Sequence, residues 1–93
     1  MDEVEFQQKL VASGLSAGQA SVKARLFVEA THVLRAAGIT SDDLHYWFVP
    51  GRIEFLGKHT DYAGGRCLIC ALERGFCVVA AARDDDKVRI TDA

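Results

Sequence analysis

Residues 49–65 read VPGRIEFLGKHTDYAGG, and the interpretation of the whole chain depends on this stretch. It places glycine and proline among Arg, Lys, His, Asp and Tyr. Glycine lets a backbone approach a ligand closely or adopt positive φ. Carboxylate and imidazole groups can accept from and donate to neighbouring hydroxyls. The stretch is typical of a loop that binds a hydroxyl-rich ligand, and on composition alone a solvated turn-rich loop is the alternative.

A nucleotide-binding P-loop does not fit this stretch. That motif needs four residues between its glycines, followed by Lys and then by Ser or Thr. Here five residues separate Gly51 from Gly57, and Lys58 is followed by His59. The hydroxyl that would bind Mg²⁺ is therefore missing from the pattern.

The residues before this stretch predict helices. Helical structure is expected over residues 3–38, with Gly14 and Gly38 as stops. Ser16, followed three residues later by Gln19, is a capping-box pattern that begins a second and longer helix. Apolar residues at helical spacing predict its buried face: Val22, Leu26, Ala30, Val33 and Ala37. A helical hairpin is expected.

From His45 onward the composition favours strands. Strands are predicted over 45–49, at Ile53 and Phe55, and over 67–72, 76–82 and 87–91. Pro50 is expected to end the first strand or to place it at an edge. Turns are predicted at 73–75 and at Asp84, Asp85 and Asp86. The chain thus divides into a helical preamble, residues 1–44, and a strand-rich segment, residues 45–93.

Composition limits the possible partners and locations. Ninety-three residues predict one small domain. Eleven Lys and Arg against thirteen Asp and Glu leave a net charge of −2, which argues against nucleic acid as a partner. The longest apolar stretch, residues 76–82, is too short to span a membrane. An acidic N-terminus and an odd number of cysteines, three, favour the cytoplasm.

The cysteines allow a second interpretation. Cys67 and Cys70 have C-x₂-C spacing, Cys77 follows, and His59 lies upstream, so a zinc-stabilised structural domain is one alternative. Residues 67–70 are expected to be extended, however, which directs Cys67 and Cys70 to opposite faces. Buried thiols within apolar strands are the preferred explanation, and no metal site is predicted.

The central stretch resembles the galactokinase signature of the GHMP sugar-kinase superfamily, whose pattern is PGRVNLIGEHTDYNGG. The matching positions are Pro50-Gly51-Arg52, Gly57, His59-Thr60-Asp61-Tyr62 and Gly64-Gly65. The resemblance covers residues 45–93 and, more weakly, the helical preamble. It implies an α+β fold in which a helical hairpin precedes the first strands of a mixed sheet, with helices on one face.

The resemblance also implies roles for individual residues. Arg52 would be catalytic, stabilising charge on the transferred phosphate or on the attacking hydroxyl. The monosaccharide substrate would be bound by Glu54, Lys58, His59, Asp61, Tyr62, Gly64 and Gly65.

Two positions depart from the family pattern. Lys58 stands where the family usually has Glu, which replaces an acceptor-only group with a donor-only group. Glu54 stands where the family usually has Asn, and a Glu54–Lys58 ion pair would make both changes structural. Galactose itself therefore becomes one candidate sugar among several, including acidic ones.

The family's serine-rich nucleotide loop does not occur in these residues. We therefore expect the chain to be the N-terminal portion of a longer kinase that transfers the ATP γ-phosphoryl group to a monosaccharide hydroxyl. ATP and Mg²⁺ would bind to that parent, whereas no cofactor and no turnover are expected for the 93 residues alone. The alternative is a non-catalytic sugar-binding or regulatory module. An unpaired sheet edge would favour homo-oligomers.

Overall fold

The structure, a computed structural model, describes residues 1–56, 64–66 and 68–93. Two helices are followed by two antiparallel strands, which confirms the predicted α+β class. The elements are α1 (Glu3–Ala12), α2 (Ala17–Ala36), β1 (Leu44–Leu56) and β2 (Leu68–Ala81). A mixed sheet also contains parallel strand pairs. These would need strands besides β1 and β2, so the mixed sheet stays a prediction.

The helices begin and end where local chemistry predicts. The Asp2 side chain accepts a hydrogen bond from the Glu5 amide at 2.8 Å and caps α1. Ser16 caps α2 in the same way, accepting from the Gln19 amide at 3.4 Å. Gly14 and Gly38 follow the two helices with positive φ, so the predicted helical hairpin is confirmed.

The predicted buried face of α2 is wrong. Val22 and Leu26 are 42% and 40% exposed, whereas Ala20, Ala24 and Phe27 are buried. Ala20, Ala24 and Phe27 are also spaced four and three residues apart, so helical spacing allows more than one apolar face. The buried face is the one that packs against Phe6 of the first helix and Tyr46 of the first strand.

An aromatic cluster joins the helices to the sheet. Phe6 of α1 stacks on Phe27 of α2 with ring centroids 5.1 Å apart. Tyr46 of β1 meets both rings edge-on, at 5.0 and 6.3 Å. Burial of a phenylalanine side chain contributes about 1.5–3 kcal/mol, so these rings supply much of the stability of this small core.

The two faces of the sheet differ because side chains alternate along each strand. The inner face packs against the helical core through Tyr46, Phe48, Cys77 and Val79. The outer face is also apolar but exposed, and consists of Trp47, Val49, Phe76 and Val78. Apolar residues therefore occupy both sides of the hairpin.

The strands are longer and more continuous than predicted. β1 passes through Pro50 and continues to Leu56, so Pro50 does not end the strand. The turn predicted at 73–75 is wrong, because β2 is continuous there. Pro50 pairs with Gly75 and Arg52 with Ala71, so three residues of β2 face Gly51 alone. This irregularity, a β-bulge over residues 72–74, explains the turn-like composition.

The strand predicted over residues 87–91 is also wrong. The segment forms no regular structure, and Val88 and Ile90 are 87% and 89% exposed. An alternating pattern forms a strand only against a partner, and no partner strand lies beside this segment within residues 1–56, 64–66 and 68–93. Within these described residues, each strand of the hairpin has one unpaired edge. Self-association through such an edge stays a prediction.

The polar turn predicted at residues 84–86 is present. The Arg83 guanidinium donates to both carboxylate oxygens of Asp85, at 2.8 and 2.6 Å. The Lys87 amide donates to the same carboxylate at 3.1 Å. The Arg83 hydrogen bond, followed by that from Lys87, lowers the pKa of Asp85 from 3.8 to about 2.

We expect Gly75→Ala to destabilise the fold. An added Cβ would overlap the Val49 carbonyl oxygen and lie 2.7 Å from the Pro50 Cα, both of them backbone atoms that cannot rotate away. Overpacking of this kind costs about 1–3 kcal/mol, measurable by urea denaturation. Gly18→Ala is the control, because its Cβ would meet no atom within 4 Å. Equal stability of the two variants would contradict the close approach of the strands.

We expect the 83–87 turn to weaken in acid. Because its folded pKa is lowered, ionised Asp85 stabilises the turn above the ordinary pKa of 3.8, and this contribution is lost as the pH falls through about 2. NMR titration of the Asp85 carboxyl carbon should give a midpoint near that lower value. In Arg83→Gln the midpoint should move up towards 3.8; an unmoved midpoint would show that Arg83 is not the cause.

Candidate functional site

The predicted site residues fall around the distal end of the hairpin. Arg52 and Glu54 lie on β1, and the exposed Gly64 and Gly65 precede β2. Leu56 pairs with Leu68, so the paired strands bring both sides of the signature to one end of the sheet. The four other predicted sugar contacts lie outside the described residues: Lys58, His59, Asp61 and Tyr62.

Arg52 and Glu54 share one face of β1 because they are two residues apart on a strand. Their side chains are 68% and 36% exposed, and the Arg52 Nη2 lies 3.9 Å from the Glu54 Oε1. Exposed pairs of this kind contribute about 0.2–1 kcal/mol. The guanidinium is therefore weakly held and can exchange Glu54 for a more highly charged anion. Lys58, the other partner predicted for Glu54, is outside the described residues.

The backbone before Arg52 lies beside the bulge. A Cβ on Gly51 would lie 3.4 Å from the Arg74 carbonyl oxygen and 3.7 Å from the Leu72 Cδ1. Both distances are ordinary van der Waals contacts, so a methyl group at position 51 would just touch the bulge. The first motif residue before Arg52 and the bulge are therefore direct neighbours within the hairpin.

Glu73, at the middle of the bulge, is a residue that sequence reasoning missed. Its Oε1 accepts a hydrogen bond from the Ser16 amide at 2.6 Å, and its Oε2 accepts from the Ser16 hydroxyl at 3.2 Å. Hydrogen bonds to charged groups contribute about 1.5–3 kcal/mol to stability. Because Glu73 and Ser16 are exposed, their contribution lies near the lower end of this range. The sequence contains one indication of this contact. The first turn of α2 has no acidic residue to complement the helix dipole, so a carboxylate from elsewhere in the chain is favoured there.

A cleft of about 700 Å³ lies between α1 and the hairpin. It is lined mainly by apolar side chains, among them Phe6, Leu10, Phe48 and Leu72, with Lys9 and Glu73 as its charged residues. Arg52 does not line it. The cleft lacks the convergent hydroxyl-binding groups that a sugar requires, so it is not the predicted site.

Of the two cysteines that the structure describes, Cys77 is partly buried, whereas Cys70 is exposed, so the prediction of a buried thiol is wrong for Cys70. Cys77 contacts the helical core, and its Sγ lies 3.9 Å from the Lys23 carbonyl oxygen. Burial raises the pKa of the Cys77 thiol, with the Lys23 charge opposing this effect. A raised pKa disfavours the reactive thiolate. No group of three metal-binding side chains occurs in the described residues, which exclude Cys67 and His59.

None of the helices in the described part of the chain is long and apolar enough to cross a membrane.

Comparison with known proteins places the hairpin in a family. The model described as "Galactokinase galactose-binding signature" matches residues 35–82, which include the whole of β1 and β2. No solved structure matches the chain.

Three curated relatives are each named galactokinase. That of Bacillus subtilis (strain 168) is 43% identical over 49 residues, 53% of this chain. Those of Exiguobacterium sibiricum and Limosilactobacillus fermentum are 54% and 48% identical over 41 and 44 residues, which are 44% and 47% of this chain. The matched regions span only 10–13% of the relatives' length. The signature covers more than half of the 93 residues, and the chain therefore belongs to the galactokinase galactose-binding signature family.

Proposed function

We propose that this chain is the galactose-binding segment of a galactokinase-like kinase, which transfers the ATP γ-phosphoryl group to a monosaccharide hydroxyl. The observation that carries the proposal is the match of the galactose-binding signature to residues 35–82. The relatives named galactokinase support the same assignment. The cytoplasm is the proposed location, in keeping with the odd number of cysteines, which cannot all pair in disulfides.

Arg52 is proposed to stabilise negative charge during phosphoryl transfer. Such transfer depends mainly on positioning and electrostatic stabilisation, and a guanidinium binds phosphate oxygens through two parallel hydrogen bonds. The exposure of Arg52 and its weak 3.9 Å pair with Glu54 leave it accessible to a phosphate. The structure thus supports a binding role for Arg52 without a competing strong partner in the described residues.

The sugar hydroxyls are proposed to bind the side chains of Lys58, His59, Asp61 and Tyr62, next to Gly64 and Gly65. Asp61 accepts only, Lys58 donates only, and the imidazole does both, so together they can match several hydroxyls. Gly64 has a φ of 76°, a conformation that favours glycine. Lys58 would donate to a hydroxyl oxygen at that point, where the family's usual Glu would accept a hydroxyl proton.

ATP and Mg²⁺ are proposed ligands of the longer kinase and not of this chain. The residues present do not fit them: the 93 residues contain no serine-rich nucleotide loop, and the described residues contain no group of three metal-binding side chains. We therefore propose no catalytic step for the segment alone. Its contribution is to bind the sugar and present Arg52.

A non-catalytic sugar-binding module is a second candidate, favoured by one observation. Glu54 lies 3.9 Å from Arg52, where the family's usual Asn would place a neutral side chain. A carboxylate at this place repels an incoming phosphate. Galactose-dependent release of ADP by the longer protein supports the kinase, and sugar binding without ADP release supports the module.

We expect the 93-residue chain to bind galactose and to lose binding in Asp61→Ala, since that variant removes an acceptor for sugar hydroxyls. Ligand-observed NMR with a panel of neutral and acidic monosaccharides measures this directly. Asp42→Ala, an exposed change before β1, is the control and should bind normally. Absence of galactose binding by both this chain and the longer protein would contradict the proposal.

We expect Glu54→Asn to strengthen anion binding at Arg52. Removing an exposed partner worth about 0.2–1 kcal/mol should tighten the dissociation constant for inorganic phosphate by a factor of about 1.4 to 5. The side-chain Nε resonance of Arg52 in a ¹⁵N-labelled sample reports the titration. Glu29→Gln, on the exposed side of α2, should leave the constant unchanged. Equal phosphate affinity in Glu54→Asn and the parent sequence would show that Glu54 does not oppose anions there.

A further inference from the structure

The bulge in β2 lies opposite Gly51, the residue that precedes Arg52. Pro50 pairs with Gly75 and Arg52 pairs with Ala71, so residues 72–74 face Gly51 alone. A bulge bends its strand and increases the local twist. Arg52 is the first residue of β1 beyond this irregularity, and its direction therefore depends on the conformation that the bulge adopts.

The middle residue of the bulge is held by a contact from outside the sheet. Glu73 accepts from the Ser16 amide at 2.6 Å and from the Ser16 hydroxyl at 3.2 Å, across 57 positions of sequence. Ser16 is itself fixed, because it caps α2 by accepting from the Gln19 amide. The carboxylate also supplies the negative charge that the first turn of α2 lacks. The bulge is thus attached to the rigid end of a long helix.

Movement of the bulge would be transmitted to β1 through the backbone. On either side of Glu73, the Arg74 carbonyl oxygen and the Leu72 Cδ1 would lie 3.4 and 3.7 Å from a Cβ added to Gly51. Gly51 is adjacent to Arg52 in the chain. The nearer of these two atoms belongs to the backbone, so the anchored bulge lies directly beside the backbone of the signature motif.

We infer that Glu73 is a positioning residue: by binding Ser16 it fixes the bulge and thereby orients Arg52 towards the substrate. The orientation of Arg52 follows from the fold, whereas its effect on substrate rests on the proposed function. The helical preamble, most of which lies before the matched residues 35–82, then has a role in the site.

The test compares Glu73→Ala, Glu73→Gln and the control Glu29→Ala in the ¹⁵N-labelled 93-residue chain. Glu73→Ala removes both acceptors, and we expect displaced amide resonances at Gly51 and Arg52 and about tenfold weaker binding of inorganic phosphate at the Arg52 guanidinium. Glu73→Gln keeps one oxygen acceptor and the side-chain shape, and should recover most of the affinity and show smaller displacements in the same direction. Glu29→Ala should change neither.

Each outcome decides the inference. Unmoved Gly51 and Arg52 resonances in Glu73→Ala would overturn it, as would an affinity loss that disappears once the unfolded fraction is subtracted. If Glu73→Ala does not fold, the displacement in Glu73→Gln relative to Glu29→Ala decides. If the unchanged chain binds no galactose, the proposed function fails, and the Gly51 and Arg52 resonances still report the positioning role separately.

Discussion

The contact of Phe6, Phe27 and Tyr46 is the constraint on which the rest of the structure depends. Each ring comes from a different element, so their packing at 5.0–6.3 Å joins α1, α2 and β1 at one point. The core around them is small and consists mainly of alanine, leucine and phenylalanine. With so little apolar surface buried, polar contacts at the periphery carry more weight than they would in a large domain.

The Glu73–Ser16 contact is the main polar connection of this kind. It joins the distal half of the hairpin, which extends beyond the helical core and is exposed, to the start of α2. The aromatic cluster holds the proximal half. The sheet is therefore attached to the helices at two points. The apolar contact stabilises the fold, and the charged contact of Glu73 with Ser16 fixes the orientation of the hairpin.

Local features were predictable because they depend on neighbouring residues. The caps at Asp2 and Ser16 and the stops at Gly14 and Gly38 follow from short-range hydrogen bonding and backbone conformation, and Ser16 and both glycines were identified from sequence. The buried face of α2, the bulge and the role of Glu73 depend on which surfaces meet, which periodicity does not encode. For the site, Arg52 and Glu54 were predicted and lie together on β1, while Lys58, His59, Asp61 and Tyr62 are outside the described residues.

The order of elements has a consequence for synthesis on the ribosome. The two helices emerge first and contain the rings of Phe6 and Phe27, but the strands that cover these rings come later in the chain. Tyr46 emerges soon after α2, whereas Cys77 and Val79 emerge only near the end of β2. Until then the helical pair presents an open apolar surface to the surrounding solution, because the contacts of the helices with β2 join residues far apart in the sequence and can form only last.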